Sequence, residues 1–320
     1  VTGTHANPPI GAVTSTNSIT GGAAGDQVGL GGVYVLPSGN IVIVSPQWNV
    51  SRGAVTCLTP SEYMAGNIVV GTGNSLTGEN INSRVGNGGI TILPNGNYVV
   101  SSPNWGTDPS GLNNEGAVTW VNGKTCLPLG ETTRNALVSP TNSLVGTSST
   151  DQVSSGGVVA LNNANYVVVS PKYSSDSGAV TWVNGQTGLS GQISDTNSLV
   201  GASSLDRIGS KGVVALTNGN YVVVSPLWDR SGITDAGAVT WVNGKTGAPV
   251  GLVSQTNSLV GSTANDRIGD TGFIALTNGN YVVQSTTWDN GSTPNVGAVT
   301  WGDGKLGTKG AVGATNSIVG

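Results

Sequence analysis

Five aromatic residues, Trp48, Trp105, Tyr173, Trp228 and Trp288, recur at one phase of the chain, and four have an amide or carboxylate neighbour: Asn49, Asn104, Asp229 and Asp289. An aromatic plate beside Asn or Asp suits a sugar, because the ring stacks on the pyranose while the polar group binds hydroxyls. The competing reading is that these rings fill gaps between packed sheets. A second set, Trp120, Trp182, Trp241 and Trp301, lies inside apolar segments and reads as core.

Catalysis finds less to work with. The single histidine, His5, sits beside Pro8 and Pro9, outside the repeated part of the chain. That argues against a His-based triad or a His-rich metal site. Asp26, Asp151, Asp206 and Asp266 recur at one position, each followed by Gln or Arg. Repetition of that kind suits turn capping, with the neighbouring Arg as an available partner. Asp108, Glu115, Asp176 and Asp235 break the symmetry but fall in loops, where solvated acids are ordinary. No catalytic residue, metal ligand or cofactor is expected, and a polysaccharide-active enzyme ranks third among the readings.

The two cysteines, Cys57 and Cys126, depart from the repeat at matching places. Cys57 stands where other units have Trp, and Cys126 where they have Gly188 and Gly247. Two departures in adjacent units suggest one compensating change, a Cys57–Cys126 disulfide.

These residues are carried by an internal repeat. Thr-Asn-Ser-Leu-Val-Gly, with small changes, places Asn at 17, 74, 142, 197, 257 and 316. The intervals define five units, about 17–73, 74–141, 142–196, 197–256 and 257–316, preceded by an N-terminal extension, residues 1–10. Each unit runs through a short apolar segment, a turn, a second apolar segment ending in Ser, a variable loop and Gly-Ala-Val-Thr-Trp, with Cys57 for Trp in the first unit. Turns at Asn95-Gly96, Asn218-Gly219 and Asn278-Gly279, with Ser38-Gly39 and Asn163-Ala164 in equivalent places, predict two-residue type I′ hairpins. No stretch shows a helical period.

Segments such as Tyr221-Val222-Val223-Val224 are apolar on consecutive residues, so both faces of the strand must be covered. The simplest cover is the neighbouring unit. Units of about sixty residues with four strands suit blades of a propeller. The expected fold is therefore all-β, a five-bladed β-propeller of four-stranded antiparallel blades over residues 11–320. Six copies of the Asn-Ser-Leu segment leave one strand surplus to five blades. It could mark a cut from a longer array, a ring closed by one terminal copy, or a strand offered to another molecule.

The order Asn218-Gly219-Asn220-Tyr221-Val222-Val223, Ser225-Pro226, loop, Gly237-Ala238-Val239-Thr240-Trp241 resembles the repeats of very large bacterial surface and haemagglutinin-like proteins. More distantly it is similar to the FG-GAP blades of integrin-type propellers. The resemblance covers residues 11–320 and is specific as a repeat rather than as a function. It departs at the turn, where Leu216-Thr217-Asn218-Gly219-Asn220 has none of the carboxylates that hold calcium in FG-GAP blades.

Composition bounds the partners. The 320 residues include 51 glycines, only 9% are charged, and the net charge is −4. With no basic cluster, a nucleic-acid partner is not expected, and no apolar run approaches a membrane span. The expectation is an extracellular or cell-surface recognition module that binds a glycan or a cell-surface or matrix polymer multivalently, with copies of itself as a further candidate partner. The alternative is a structural unit of a surface layer or filament with no small ligand.

Overall fold

The computed structural model describes residue 14 and residues 16–320. The expected extension and His5 lie outside the described residues.

The chain is all-β with repeated strand-rich sheets. The first sheet comprises Val33–Val35, Ile41–Ser45, Ala54–Leu58 and Ser75–Thr77, joined by Ala136–Leu137. The second comprises Ile90–Ile92, Tyr98–Ser102, Ala117–Val121 and Ser143–Val145, with Gly191–Gln192. The third comprises Val158–Ala160, Tyr166–Ser170, Ala179–Val183 and Ser198–Val200, with Gly251–Leu252. The fourth comprises Val213–Ala215, Tyr221–Ser225, Ala238–Val242 and Leu259–Val260, with Gly310–Ala311. The fifth has four strands: Gly272–Ala275, Tyr281–Ser285, Ala298–Gly302 and Ser317–Val319.

This corrects the expected four-stranded antiparallel blade. Four sheets have a fifth strand, drawn from the next unit and paired in parallel with the Asn-Ser-Leu strand, as in Leu259↔Gly310 and Val260↔Ala311. The surplus copy of that strand is also accounted for. Ile19–Thr20 pairs in parallel with Ile68–Val69, outside any larger sheet. Asn197 shows why the motif recurs: its Oδ1 accepts from Ser194 N at 2.9 Å and its Nδ2 donates to Gln192 O at 2.9 Å, tying the motif to the chain before it. Ser198 Oγ meets Thr181 Oγ1 at 2.7 Å, and the same Thr–Ser pair recurs in all five sheets at 2.7 Å.

The hairpins differ from the expected type I′ form. In Asn218-Gly219 only Gly219 has positive φ, +87°. Gly219 N donates to Leu216 O, and Leu216 N to Asn220 O. That is a three-residue loop with its last residue left-handed, and it leaves the Asn218 side chain free to point away from its own strand. A further correction is a short helix, Pro60–Ala65, capped by Thr59 and Glu62. It carries no apolar stripe, so periodicity could not find it.

The strands are buried on both faces, as expected: every residue of Tyr98–Ser102, Tyr166–Ser170 and Tyr221–Ser225 is buried. The cover is the neighbouring sheet. One cluster joins Val42, Val44 and Val55 to Tyr98 and Val100, and the next joins Val99 and Val118 to Tyr166 and Val168. The third joins Val167 and Val169 to Tyr221 and Val223, and the fourth joins Val222 and Val224 to Tyr281 and Val283. Successive sheets thus share apolar faces in chain order. The series ends openly. On the fifth sheet Val299 is 40% exposed, Trp301 53% and Ile318 78%. Among the described residues no hydrogen bond or apolar cluster joins the fifth sheet to the first.

Candidate functional site at the repeat junctions

The aromatic set chosen as sugar plates is turned inward. Trp48 is 6% exposed, and Trp105, Trp228 and Trp288 are each 4% exposed. Each belongs to an apolar cluster, and Tyr173 packs on one while half-buried. Trp48 Nε1 donates to Val70 O at 3.0 Å and Tyr173 OH to Ile193 O at 3.0 Å, holding the fifth-strand segment of their own unit. The indole N–H groups of Trp228 and Trp288 are buried without an acceptor. None of these four indoles presents a face on which a sugar in solution could stack.

Three of their polar neighbours, Asn104, Asp229 and Asp289, have side chains engaged in the fold, whereas Asn49 is exposed and bonded through its backbone N–H. Asp206 Oδ2 accepts from Ala202 N and Ser203 N at 2.8 and 2.9 Å, while Oδ1 accepts from Asp229 N at 3.0 Å. Asp26, Asp151 and Asp266 do the same, reaching the backbone N–H of Asn49, Ser174 and Asp289. One repeated carboxylate thus ties the turn after Asn-Ser-Leu to the loop after the aromatic. Asp229 and Asp289 in turn accept from Asp235 N and Asn295 N, closing their own loops. Asn104 bonds Asn87 and Asn114. In the first and third units the loop is one left-handed turn at residues 49–51 and 174–176, with φ between 47° and 63°.

Burial lifts the Asp206 carboxyl above its usual range. Burial also pushes Tyr98, Tyr166 and Tyr221 far up and Tyr281 up to about 12, so these phenols stay neutral in the core. The arginine after Asp pairs across a junction rather than with its neighbour. Arg207 meets Asp176 at 2.9 Å and Arg267 meets Asp235 at 2.6 Å. Of the acids that break the symmetry, these two pair, Asp108 bonds Ser110, and Glu115 bonds Thr107.

The densest polar geometry lies elsewhere, where one unit meets the next. Asn95 Nδ2, Asn97 Nδ2 and Trp120 Nε1 converge on a single acceptor, Gly185 O, at 2.9, 3.0 and 2.9 Å. The arrangement recurs with Asn163, Asn165 and Trp182 on Gly244 O at 2.8, 2.8 and 2.9 Å. It recurs again with Asn218, Asn220 and Trp241 on Gly304 O at 2.7, 2.8 and 2.9 Å. The donors belong to one unit and the acceptor to the following one. A side chain at Gly185 would overlap the carbonyl of Ala164, so only glycine brings the turn this close.

Three residues further on, Gly188, Gly247 and Gly307 have φ of +68°, +76° and +74°. A Cβ there would lie 2.9, 2.9 and 2.8 Å from the Cβ of Trp120, Trp182 and Trp241. The second tryptophan set therefore lies over the next unit's glycine. The cysteines replace this contact at the first junction. Cys57 occupies the Trp position, Cys126 the Gly position with φ +63°, and the two are disulfide-bonded. There Ser38 Oγ and Asn40 Nδ2 reach Gly123 O at 2.7 and 2.9 Å. Sequence reasoning placed the disulfide but missed the cradle. Its signal was present: Asn-Gly at 122–123, 184–185 and 243–244, always one residue beyond the Trp-containing strand.

A family model described as "Repeat of unknown function (DUF5650)" matches residues 2–30, 35–87, 92–155, 160–210, 215–270 and 275–320. The match finds six repeats where spacing gave five units, the first match being short. No curated protein matches the chain.

Proposed function

The chain belongs to the family of DUF5650 repeats, and from that premise we propose that it is a non-catalytic structural array, a rigid run of interlocked sheets with no small-molecule ligand. The observation that carries this reading is the fate of the repeated functional groups. The four indoles are 4–6% exposed, and the four repeated carboxylates each accept backbone N–H groups from two segments. Residues repeated for recognition would face solvent, whereas these are consumed in building the unit and joining it to the next.

We read the array as an open stack rather than a closed five-bladed propeller. Exposure of Trp301 and Ile318 supports this, since closure would lay the first sheet on them. The Cys57–Cys126 disulfide supports an oxidising compartment, and hence an extracellular or cell-surface setting. Glycan or matrix binding through the repeated rings would need those rings turned out of the core.

A glycan array and isothermal titration with the native chain test this. The scaffold reading expects no glycan retained above background and no saturable heat. Saturable sugar binding overturns it.

A further inference from the structure

We propose that the outer face of the fifth sheet is a socket for one further repeat of this family, of the kind that carries an Asn-Gly-x-x-Gly or Asp-Gly-x-x-Gly turn. The proposal rests on the structural-array reading and names its partner.

Three independent features of the fifth unit are left unfilled, and each is filled at the junctions before it. First, Asn278 Nδ2, Asn280 Nδ2 and Trp301 Nε1 are equivalent to the three donors that grip one glycine carbonyl in units two, three and four. Among the described residues they have no acceptor here, although Asn278 Oδ1 and Asn280 Oδ1 make the usual local bonds to Asn280 N and Gly304 N. Second, among the described residues Ser317–Val319 pairs only with Ala298–Gly302, whereas the equivalent strand of every other sheet has a parallel partner on its far edge. Third, Val299, Trp301 and Ile318 are 40%, 53% and 78% exposed, and a groove of about 410 Å³ runs beside Trp301 and Ile318. At the preceding junction the equivalent Val239 and Leu259 are buried in the cluster shared with the fifth sheet.

The internal junctions define what fits. The occupant must bring a glycine carbonyl to the three donors, a second glycine under Trp301, a two-residue parallel strand to Ser317–Val319, and an apolar sheet face. Every unit from the third to the fifth supplies this set to its predecessor, and the second supplies it with Cys126 in place of the second glycine. The chain's own first unit does not. Where the others have Asn-Gly or, in the fifth unit, Asp303-Gly304, it has Thr59-Pro60, which opens the helix Pro60–Ala65. A ring closed through the first unit, or a second copy docking by it, would leave the three donors empty. The array is therefore polar: the face its fifth sheet offers is not one that its first unit fills.

The test lengthens the native chain by a second copy of residues 262–320 placed after Gly320, which reproduces the connection between Gly261 and Ser262. Acrylamide quenching of Trp301 is read as the difference between each protein and its Trp301→Phe form. Trp301 should be freely quenched in the native chain and protected several-fold in the lengthened one. Asn278→Asp keeps the Oδ1 acceptor but sets an oxygen against the incoming carbonyl. It should lower the melting temperature of the lengthened chain and leave that of the native chain unmoved. Equal quenching in the two chains overturns the proposal, as does an equal effect of Asn278→Asp. An appended repeat that stays unfolded overturns it too, since the same residues fold against the fourth sheet. Protection of Trp301 in the native chain also overturns it: by a second copy if protection grows with concentration, by the first sheet if it does not. Sugar binding by the native chain would sink the structural-array reading without altering the quenching of Trp301, so the two failures are distinguishable.

Discussion

Asp206 shows how a repeated acid can be structural. Its two oxygens accept three backbone N–H groups from two separate segments, and it is fully buried. Asp206→Ala leaves those donors inside without partners, so urea denaturation should show a loss of about 2 kcal/mol. The pH dependence runs opposite to that of an ordinary salt-bridged acid. With its pKa raised in the folded state by burial, Asp206 holds its proton through a window where the unfolded chain has lost it. Its contribution therefore grows as pH falls through that window and declines as pH rises. Glu62 has the reverse sign. Burial pushes its carboxyl up, but the Arg134 guanidinium at 2.7 Å and the N–H and hydroxyl of Thr59 outweigh burial and hold it below the usual range. Its contribution is present above the unfolded pKa and lost as pH falls through the folded one. Glu62→Gln should flatten the acid limb of a stability–pH curve, and Asp206→Ala should steepen it. Opposite slopes would refute both assignments.

At the scale of elements, the disulfide and the Trp-on-Gly contact are alternative solutions to one junction. Cys57–Cys126 closes a loop with a sequence separation of 69, which chain-entropy arguments value at about 4 kcal/mol. Reduction should lower stability by roughly that amount. The double change Cys57→Trp with Cys126→Gly should restore the arrangement of Trp120 over Gly188, giving a chain whose denaturation midpoint ignores reductant. A variant that fails to fold would show that the first junction is not interchangeable with the others. That prediction also marks what the sequence could and could not reveal. The three antiparallel strands of each unit were legible because apolar runs and Asn-Gly turns are local signals. The disulfide was legible because two departures from a repeat need a common cause. The fifth strand was not, since two residues such as Gly251–Leu252 carry no period of their own; only Val70, Val138, Ile193, Val253 and Val312, buried at one phase, hint at it. Which of the two readings of the aromatic set holds was not legible, because buried and sugar-facing rings share the same spacing. Burial is a property of the neighbour, here the next unit's face. The cradle around Gly185 escaped for a related reason, because its donors and acceptor lie 65–90 residues apart.

At the scale of the molecule, stability is a sum over junctions, because each sheet depends chiefly on the two beside it. The second, third and fourth sheets have a neighbour on both faces, whereas the fifth has one face on the fourth sheet and the other in solvent. Among the described residues the fifth sheet also lacks the parallel strand and the filled cradle that brace its predecessors. Leaving side chains such as Trp301 and Ile318 in water forgoes about 3 kcal/mol of burial that the equivalent interior residues gain. An open array should thus fray from its last unit. Hydrogen exchange followed by mass spectrometry should find the amides of Tyr281–Ser285 exchanging at least tenfold faster than those of Tyr221–Ser225, although the two strands have the same pairing pattern. A closed ring gives the fifth sheet two neighbours and removes the difference. Equal protection of the two strands would therefore refute the open stack, whatever ligand the chain proves to bind.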